Sequence, residues 1–313
     1  RERCVELGHD LRHVTSADDS RFAYFVEIRG KGTFLRAAPV DLAKLFREKL
    51  LDHHDSMVFT SATLATGGDL SFFKRRMGFS TIREDGEVVA EDYPVEEKIL
   101  PPVFNYEEQA VVYVPRKLPA PSSDDFTKHV ATVVEYLLEV TEGRAFVLFT
   151  SYSNLDDVYD RLADDLEYPT LRQGDRPKRE LLESFRGDTE SVLFATSSFW
   201  EGVDVEGEAL SMVIIDKLPF ANPSDPLIRA RLDLLESRGR NAFAEFSLPS
   251  AALSLKQGFG RLIRSRSDRG IVAILDSRIA HKRYGRYFLD SLPPAPVRWT
   301  APDVKRWWLN SKF

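Results

Sequence analysis

From Ala110 onward, short runs that are apolar throughout alternate with longer segments whose apolar residues recur every three or four positions. That rhythm constrains the fold more than any other feature of the chain. Residues 110–114, 145–150, 191–196, 212–216 and 271–276 read as strands, with a further short strand near Thr170. Phe126, Val130, Val133, Val134, Leu137 and Leu138 share one helical face, and helices are also expected over 155–166, over 179–185 and twice before Ile271. Strands such as 146–149 and 213–215 have no polar face, so helices must cover the sheet on both sides and the strands should run parallel. The expected fold class is α/β with a mostly parallel sheet. Ligands of such sheets bind beyond the carboxyl ends of the strands.

The upstream stretch has a different pattern. β-Branched and aromatic residues over 22–28 and 33–36, around Gly30 and Gly32, predict a hairpin. Pro39 and Asp41 precede a helical stripe of Leu42, Leu45, Phe46 and Leu50, and residues 57–60 read as a buried strand. Asp69 is placed to cap a helix containing Leu70, Phe72, Phe73 and Met77. Between Gly78 and Asn105 the periodicity weakens around Pro94, Pro101 and Pro102, which predicts a boundary near Asn105 and domains of 1–105 and 106–313. The 313 residues suffice for one full domain plus part of another, and a start at Arg1 rather than Met leads us to expect an upstream part. No run approaches the roughly 18 apolar residues of a membrane span, and no export leader is visible. A lone Cys4 excludes an internal disulfide framework, so a cytoplasmic setting is expected. The net charge of −6 argues against indiscriminate coating of nucleic acid but leaves room for a local groove.

Five segments carry the residue types that phosphate chemistry needs. In QGFGRLIRS (257–265), a helix would project Gln257, Arg261 and Arg264 from one face at i, i+4 and i+7. Guanidinium forks suit a phosphoryl group in transfer, although a solvated arginine face is the plain alternative. In ATSSFWEGVDVEG (195–207), the hydroxyls of Thr196, Ser197 and Ser198 can bond phosphate and Trp200 can stack or pack. There Glu201 and Asp204 flank Gly202, where they could orient the arginines, meet a ribose or form a surface turn. TSATL (60–64) offers short hydroxyl bonds, or simply a turn held by Ser and Thr. FTSYSN (149–154) ends a strand and starts a helix; Ser151, Ser153 and the free amides suit a phosphate, with capping the alternative, favoured for Ser153 over Ser151. In IIDKLPF (214–220), Lys217 and Phe220 could border a single strand or a core edge.

The order of these phrases, closing with IIDKLPFANPSDP, QGFGRLIRS and LDSR, resembles the DinG and XPD-like helicases of superfamily 2 from about Phe22 to Pro293. The resemblance implies a RecA-like second motor domain, preceded by the remnant of a first one. It further implies ATP with Mg2+ as cofactor, 5′-to-3′ travel on single-stranded DNA, and work in repair or replication. Thr60, Ser61, Ala62 and Thr63 would be the motif that couples nucleotide state to DNA grip. Ser151, Tyr152, Thr196, Trp200 and Lys217 would meet DNA, and Glu201, Gly202 and Asp204 would join the DNA track to the ATP cleft. Gln257, Arg261 and Arg264 would serve the γ-phosphate from across a domain interface, with Asp276 and Arg278 a strand-end pair of structural or functional kind. Expected partners are single-stranded DNA, the upstream motor domain, and repair or replication proteins, with no membrane.

Departures from that pattern shape the expectation. No GxxxxGK[ST] occurs, and Gly30-Lys31-Gly32-Thr33 lacks its spacing and order. No DEAH-like acid pair for magnesium is present, no metal site is expected, and an iron–sulfur cluster would have to lie upstream, since Cys4 alone cannot hold one. The chain by itself is therefore expected to hydrolyse no ATP. The competing reading is a non-catalytic module that binds single-stranded nucleic acid or a repair partner. A small-molecule α/β enzyme is disfavoured, because the six histidines form no convincing Ser/His/Asp set.

Overall fold

A computed structural model of the chain describes residues 2–82, 88–91, 93–196, 199, 205 and 207–310. Two compact units divide it: residues 1–65, 69–99 and 220–250 form the first, and residues 66–68, 100–219 and 251–313 the second. The first holds α1 (Glu2–Ser16), β1 (Phe22–Arg29), β2 (Gly32–Pro39), α2 (Leu42–Lys49), α3 (Ser71–Met77), β3 (Ser80–Ile82) and β4 (Val88–Glu91). The second continues with α4 (Tyr106–Gln109), β5 (Ala110–Tyr113), α5 (Phe126–Thr141), β6 (Ala145–Phe149), α6 (Tyr152–Leu162), β7 (Thr170–Arg172), α7 (Lys178–Gly187), β8 (Val192–Thr196) and β9 (Met212–Ile215). The chain returns to the first unit for α8 (Pro226–Ser237) and a π-helical turn (Phe243–Ser247), and α9 (Leu248–Phe259) leads out of it. β10 (Gly270–Ile274), α10 (Arg278–His281), α11 (Gly285–Ser291), β11 (Val297–Arg298) and α12 (Ala301–Asn310) complete the second.

The apolar runs become one seven-stranded sheet, ordered β11-β5-β10-β9-β6-β8-β7, with every pairing parallel. β5, β6, β8, β9 and β10 are buried along their whole length, as two covered faces require. On one face Val147, Phe149, Phe194 and Ile214 pack with Phe126, Val134 and Leu138 of α5 and Leu155 and Val158 of α6. On the other, Phe146 meets Phe185 of α7 at 4.6 Å between ring centroids. Each fully buried aromatic of this kind contributes up to ~3 kcal/mol by transfer from water.

In the first unit the expected hairpin forms, pairing Phe22 with Pro39 through to Arg29 with Gly32. Gly30 sits at φ +57°, as a two-residue loop with glycine first demands, so Gly30-Lys31 is a hairpin turn. Asp41 caps α2 by accepting from the Ala43 amide at 3.1 Å, and Asp69 accepts from the Ser71 amide at the start of α3 at 2.8 Å.

Two expectations are corrected. Residues 57–60 are not a buried strand: they pair with nothing regular and Val58 is 91% exposed. Phe59 packs against Phe46, Phe73 and Phe79. An apolar run becomes a strand only where it pairs with a neighbour, and residues 57–60 pair with no strand among the described residues. The boundary expected near Asn105 falls at Leu100, and the stretch 220–250, which the pattern left in the second domain, packs with the first unit. Arg231 of α8, for example, donates to the Val40 carbonyl at 2.6 Å.

Candidate functional site

In the second unit the loops that follow neighbouring parallel strands are joined by side chains, so that the carboxyl edge of the sheet forms one connected surface. Beyond β10, Asp276 is fully buried and receives both Nε (2.9 Å) and Nη2 (2.6 Å) of Arg278. Its Oδ2 also accepts from the Leu218 amide after β9 at 2.9 Å. The hydrogen bond to Asp276 pushes the Arg278 pKa above its ordinary value. The pair links two adjacent strand ends.

Asp216, at the end of β9, does the same one strand further on. Its Oδ1 accepts from the amides of Lys217 (2.7 Å) and Thr150 (3.0 Å), and its Oδ2 from Nδ2 of Asn154 (2.9 Å). Only 1% of Asp216 is exposed, and burial raises its pKa to about 6 although all these hydrogen bonds pull the other way. Lys217 is half-buried beside it. Gln173, just after β7, closes the series. Its Oε1 accepts from both the amide (2.7 Å) and the hydroxyl (3.0 Å) of Thr196 at the end of β8, while its Nε2 donates to the Tyr152 hydroxyl at 2.6 Å. Tyr152 and Thr196 are thus brought together, Tyr152 largely exposed and Thr196 buried.

Motif spacing singled out neither Gln173 nor Asp216. Strand-end position was the only available signal for them, since their partners are distant in sequence. Ser151 is the cap of α6, accepting from the Asn154 amide at 3.3 Å. That corrects the preference for Ser153, which lies inside the helix and is exposed.

The arginine segment is also corrected. α9 includes Gln257 but ends at Phe259, so Gln257, Arg261 and Arg264 do not form one helical face. The amides of Arg261 and Leu262 bond three residues back, to Gly258 (3.2 Å) and Phe259 (3.1 Å), a tightened last turn in a glycine-rich stretch. Leu262 and Ile263 then turn into the core. Buried Asp268 seizes the amides of Arg264 and Ser265 through Oδ2, both at 2.8 Å, and the Ser265 hydroxyl through Oδ1 at 2.7 Å. Gln109 grips the same loop by donating to the carbonyls of Ser265 and Asp268. Gln257 is exposed, whereas Arg261 and Arg264 are half-buried with their Nε atoms out of solvent. The two arginines therefore ride on an anchored turn, not on a solvated helix face.

In the first unit, Thr60, Ser61 and Ala62 are exposed and Thr63 is half-buried; the Ser61 hydroxyl accepts from the Thr63 amide at 3.1 Å. This is a Ser/Thr-stabilised turn. Phe220 packs its ring at 5.7 Å from that of Phe243, also in the first unit. Ser197, Ser198, Trp200, Glu201, Gly202 and Asp204 lie outside the described residues. The described residues contain no group of His, Cys, Asp and Glu able to hold a metal ion, and no helix among them is long and apolar enough to cross a membrane.

The family model of the helicase C-terminal domain matches residues 134–295. The ATP-dependent DNA helicase YoaA of Escherichia coli (strain K12) is 38% identical over 295 residues, which is 94% of this chain and 44% of that protein. The ATP-dependent helicase DinG of Mycobacterium tuberculosis (strain ATCC 25618 / H37Rv) is 36% identical over 272 residues, 87% of this chain and 39% of that protein. The chain thus spans less than half the length of these relatives. Among solved structures, S. tokodaii Xpd4 superposes with a TM-score of 0.55 at 17% identity, covering 95% of this chain and 59% of that one, a likeness of fold. With its match over more than half its length, the chain belongs to the helicase C-terminal domain family.

Proposed function

We propose that this chain is the second-motor half of an ATP-dependent DNA helicase that moves 5′-to-3′ on single-stranded DNA in repair or replication. In this reading residues up to about 105 end a first motor domain and those beyond it form the second, with the 220–250 excursion packing in the first unit. The observation that carries the reading is the connected strand-end surface, in which Gln173 ties Tyr152 to Thr196 and Asp216 ties the loops after β6 and β9. Such a surface offers Ser151, Tyr152 and Lys217 to a strand of nucleic acid, with buried Thr196 holding the loop beneath them and Trp200 assigned to the same track from its position in sequence.

Arg261 and Arg264 are the residues we assign to the phosphoryl group under transfer. In the loose transition state charge is spread over the equatorial oxygens and builds on the leaving oxygen, and donors fixed beforehand stabilise it without reorganising. The clasp of Asp268 on the backbone of Arg264 and Ser265 supplies that fixity for the second arginine. Gln257 would help position the arginines, Glu201, Gly202 and Asp204 would link the ATP cleft to the DNA track, and Thr60 to Thr63 would relay nucleotide state in the first unit.

The test uses the full-length polypeptide that carries this chain. DNA-stimulated ATP turnover should fall by about three to five orders of magnitude in Arg261→Ala and in Arg264→Ala if each acts as an arginine finger. Near-normal turnover in both would remove the assigned role. Unwinding of duplexes with a 5′ or a 3′ single-stranded overhang reads the polarity, and only the 5′ overhang should support it.

A further inference from the structure

The first unit contains a cavity of about 300 Å3 between α2, α3, α8 and the π-helical turn. Six arginines and one lysine line it, against two carboxylates, Asp41 and Glu245, in a chain whose net charge is −6. Such a concentration of one sign runs against the composition of the whole. Two of the arginines, Arg76 of α3 and Arg231 of α8, lie 5.6 and 5.2 Å from the centroid of the Phe246 ring. A guanidinium over a ring still bonds through its N–H edges, of which Arg231 gives one to the Val40 carbonyl.

Compensation within the wall is partial. Asp41 stands 3.8 Å from Arg231 and 3.7 Å from Arg238, and Glu245 is engaged by Arg240. Burial lowers the pKa of both Arg76 and Arg231, and for Arg231 the neighbouring Arg76, Arg240 and Arg238 lower it further against the pull of Asp41. Like charges gathered in a partly desolvated hollow repel one another, and an anion seated among them relieves both the repulsion and the lost hydration.

We propose that this cavity binds a phosphate group and is a second anion site, built entirely from the first unit and sharing no lining residue with the strand-end loops. Guanidinium forks match phosphate oxygens two at a time. The volume lies at the small end of the ~300–1,000 Å3 of ligand pockets, room for one phosphate and the unit that bears it but not for a duplex. Two sources present that chemistry, the backbone of a nucleic-acid strand and a small phosphorylated molecule, and they separate experimentally.

In the full-length protein, Arg75→Glu combined with Arg238→Glu reverses charge on two lining positions. Binding is read with fluorescein-labelled oligothymidylate over a salt series, and with inorganic pyrophosphate through the rise in Tm at constant ionic strength. If strand phosphates occupy the cavity, the variant binds oligothymidylate about tenfold or more weakly, and its log–log salt slope flattens by about 0.7 per phosphate lost. If a small phosphorylated molecule is the ligand, pyrophosphate raises the Tm of the unaltered protein but not of the variant, and oligothymidylate affinity is unchanged. A variant that melts cooperatively and matches the unaltered protein in affinity, slope and pyrophosphate response overturns the proposal. Should charge reversal prevent folding, Arg75→Gln alone supplies the same three readouts, and a match there overturns it equally. ATP turnover enters none of these readouts, so failure here is distinct from failure of the motor reading.

Discussion

Gln173 satisfies a buried amide and a hydroxyl of Thr196 with one oxygen while its nitrogen bonds the Tyr152 hydroxyl. Gln173→Ala would remove the oxygen shared by the amide and hydroxyl of Thr196, which is 6% exposed, together with the bond to Tyr152. Chemical denaturation should show a loss of roughly 1–3 kcal/mol, the scale of a few lost hydrogen bonds at a buried position. Asp216 makes a different kind of prediction. Its folded pKa of about 6 lies above the ordinary aspartate value of 3.8, because burial penalises the carboxylate. Between those two values the folded state holds a proton that the unfolded state has released, so this group's contribution to stability falls as pH rises through that window. The gap amounts to on the order of 3 kcal/mol. Asp216→Asn cannot titrate, and its stability between about pH 4 and 6 should therefore decline less steeply than that of the unaltered protein, as measured by denaturant midpoints at each pH. Parallel curves would mean that Asp216 ionises in the fold as it does in water.

At the scale of single elements, end-chemistry decides where helices stop. α3 ends on Gly78 at φ +80°, whose amide bonds back to Arg75 and Lys74. A Cβ there would sit 2.5 Å from the Ala43 carbonyl oxygen of α2, and an L-residue at this φ is strained in any case. Gly78→Ala should cost at least about 1–2 kcal/mol, seen as a lower Tm with no change in helix content elsewhere. α6 starts where Ser151 offers its hydroxyl to the Asn154 amide, and α9 stops where the chain tightens after Gly258. For α9 the stop comes where Gly258 and Gly260 weaken the helix and where Asp268 takes the amides of Arg264 and Ser265. Leu262 and Ile263 stay buried through the tightened turn, and the arginines follow it.

At the scale of the whole molecule, the proposed motor reading assigns this chain the residues that would answer a nucleotide, and its sequence holds no GxxxxGK[ST] loop to cradle one. The 313-residue chain should release no phosphate from ATP even with single-stranded DNA, while the full-length polypeptide should, in a side-by-side phosphate-release assay. Turnover by the chain alone would show that the phosphate-binding elements are not required from elsewhere. Much of this was legible in the amino-acid order. Unbroken apolar runs such as Phe146 to Phe149 can only be satisfied by a sheet covered twice, and Asp41, Gly30 and the α5 stripe declare their roles through contacts within a few residues. The exposed run around Val58, the end of α9 at Phe259, the bridge made by Gln173 and the packing of α8 with the hairpin unit were not legible. Each of these depends on a partner far away in sequence. Periodicity and capping are local, so the sequence alone determined the elements and the parallel sheet; pairing edges, buried partners and the arginine-lined cavity exist only once distant segments meet, and those the tertiary structure decided.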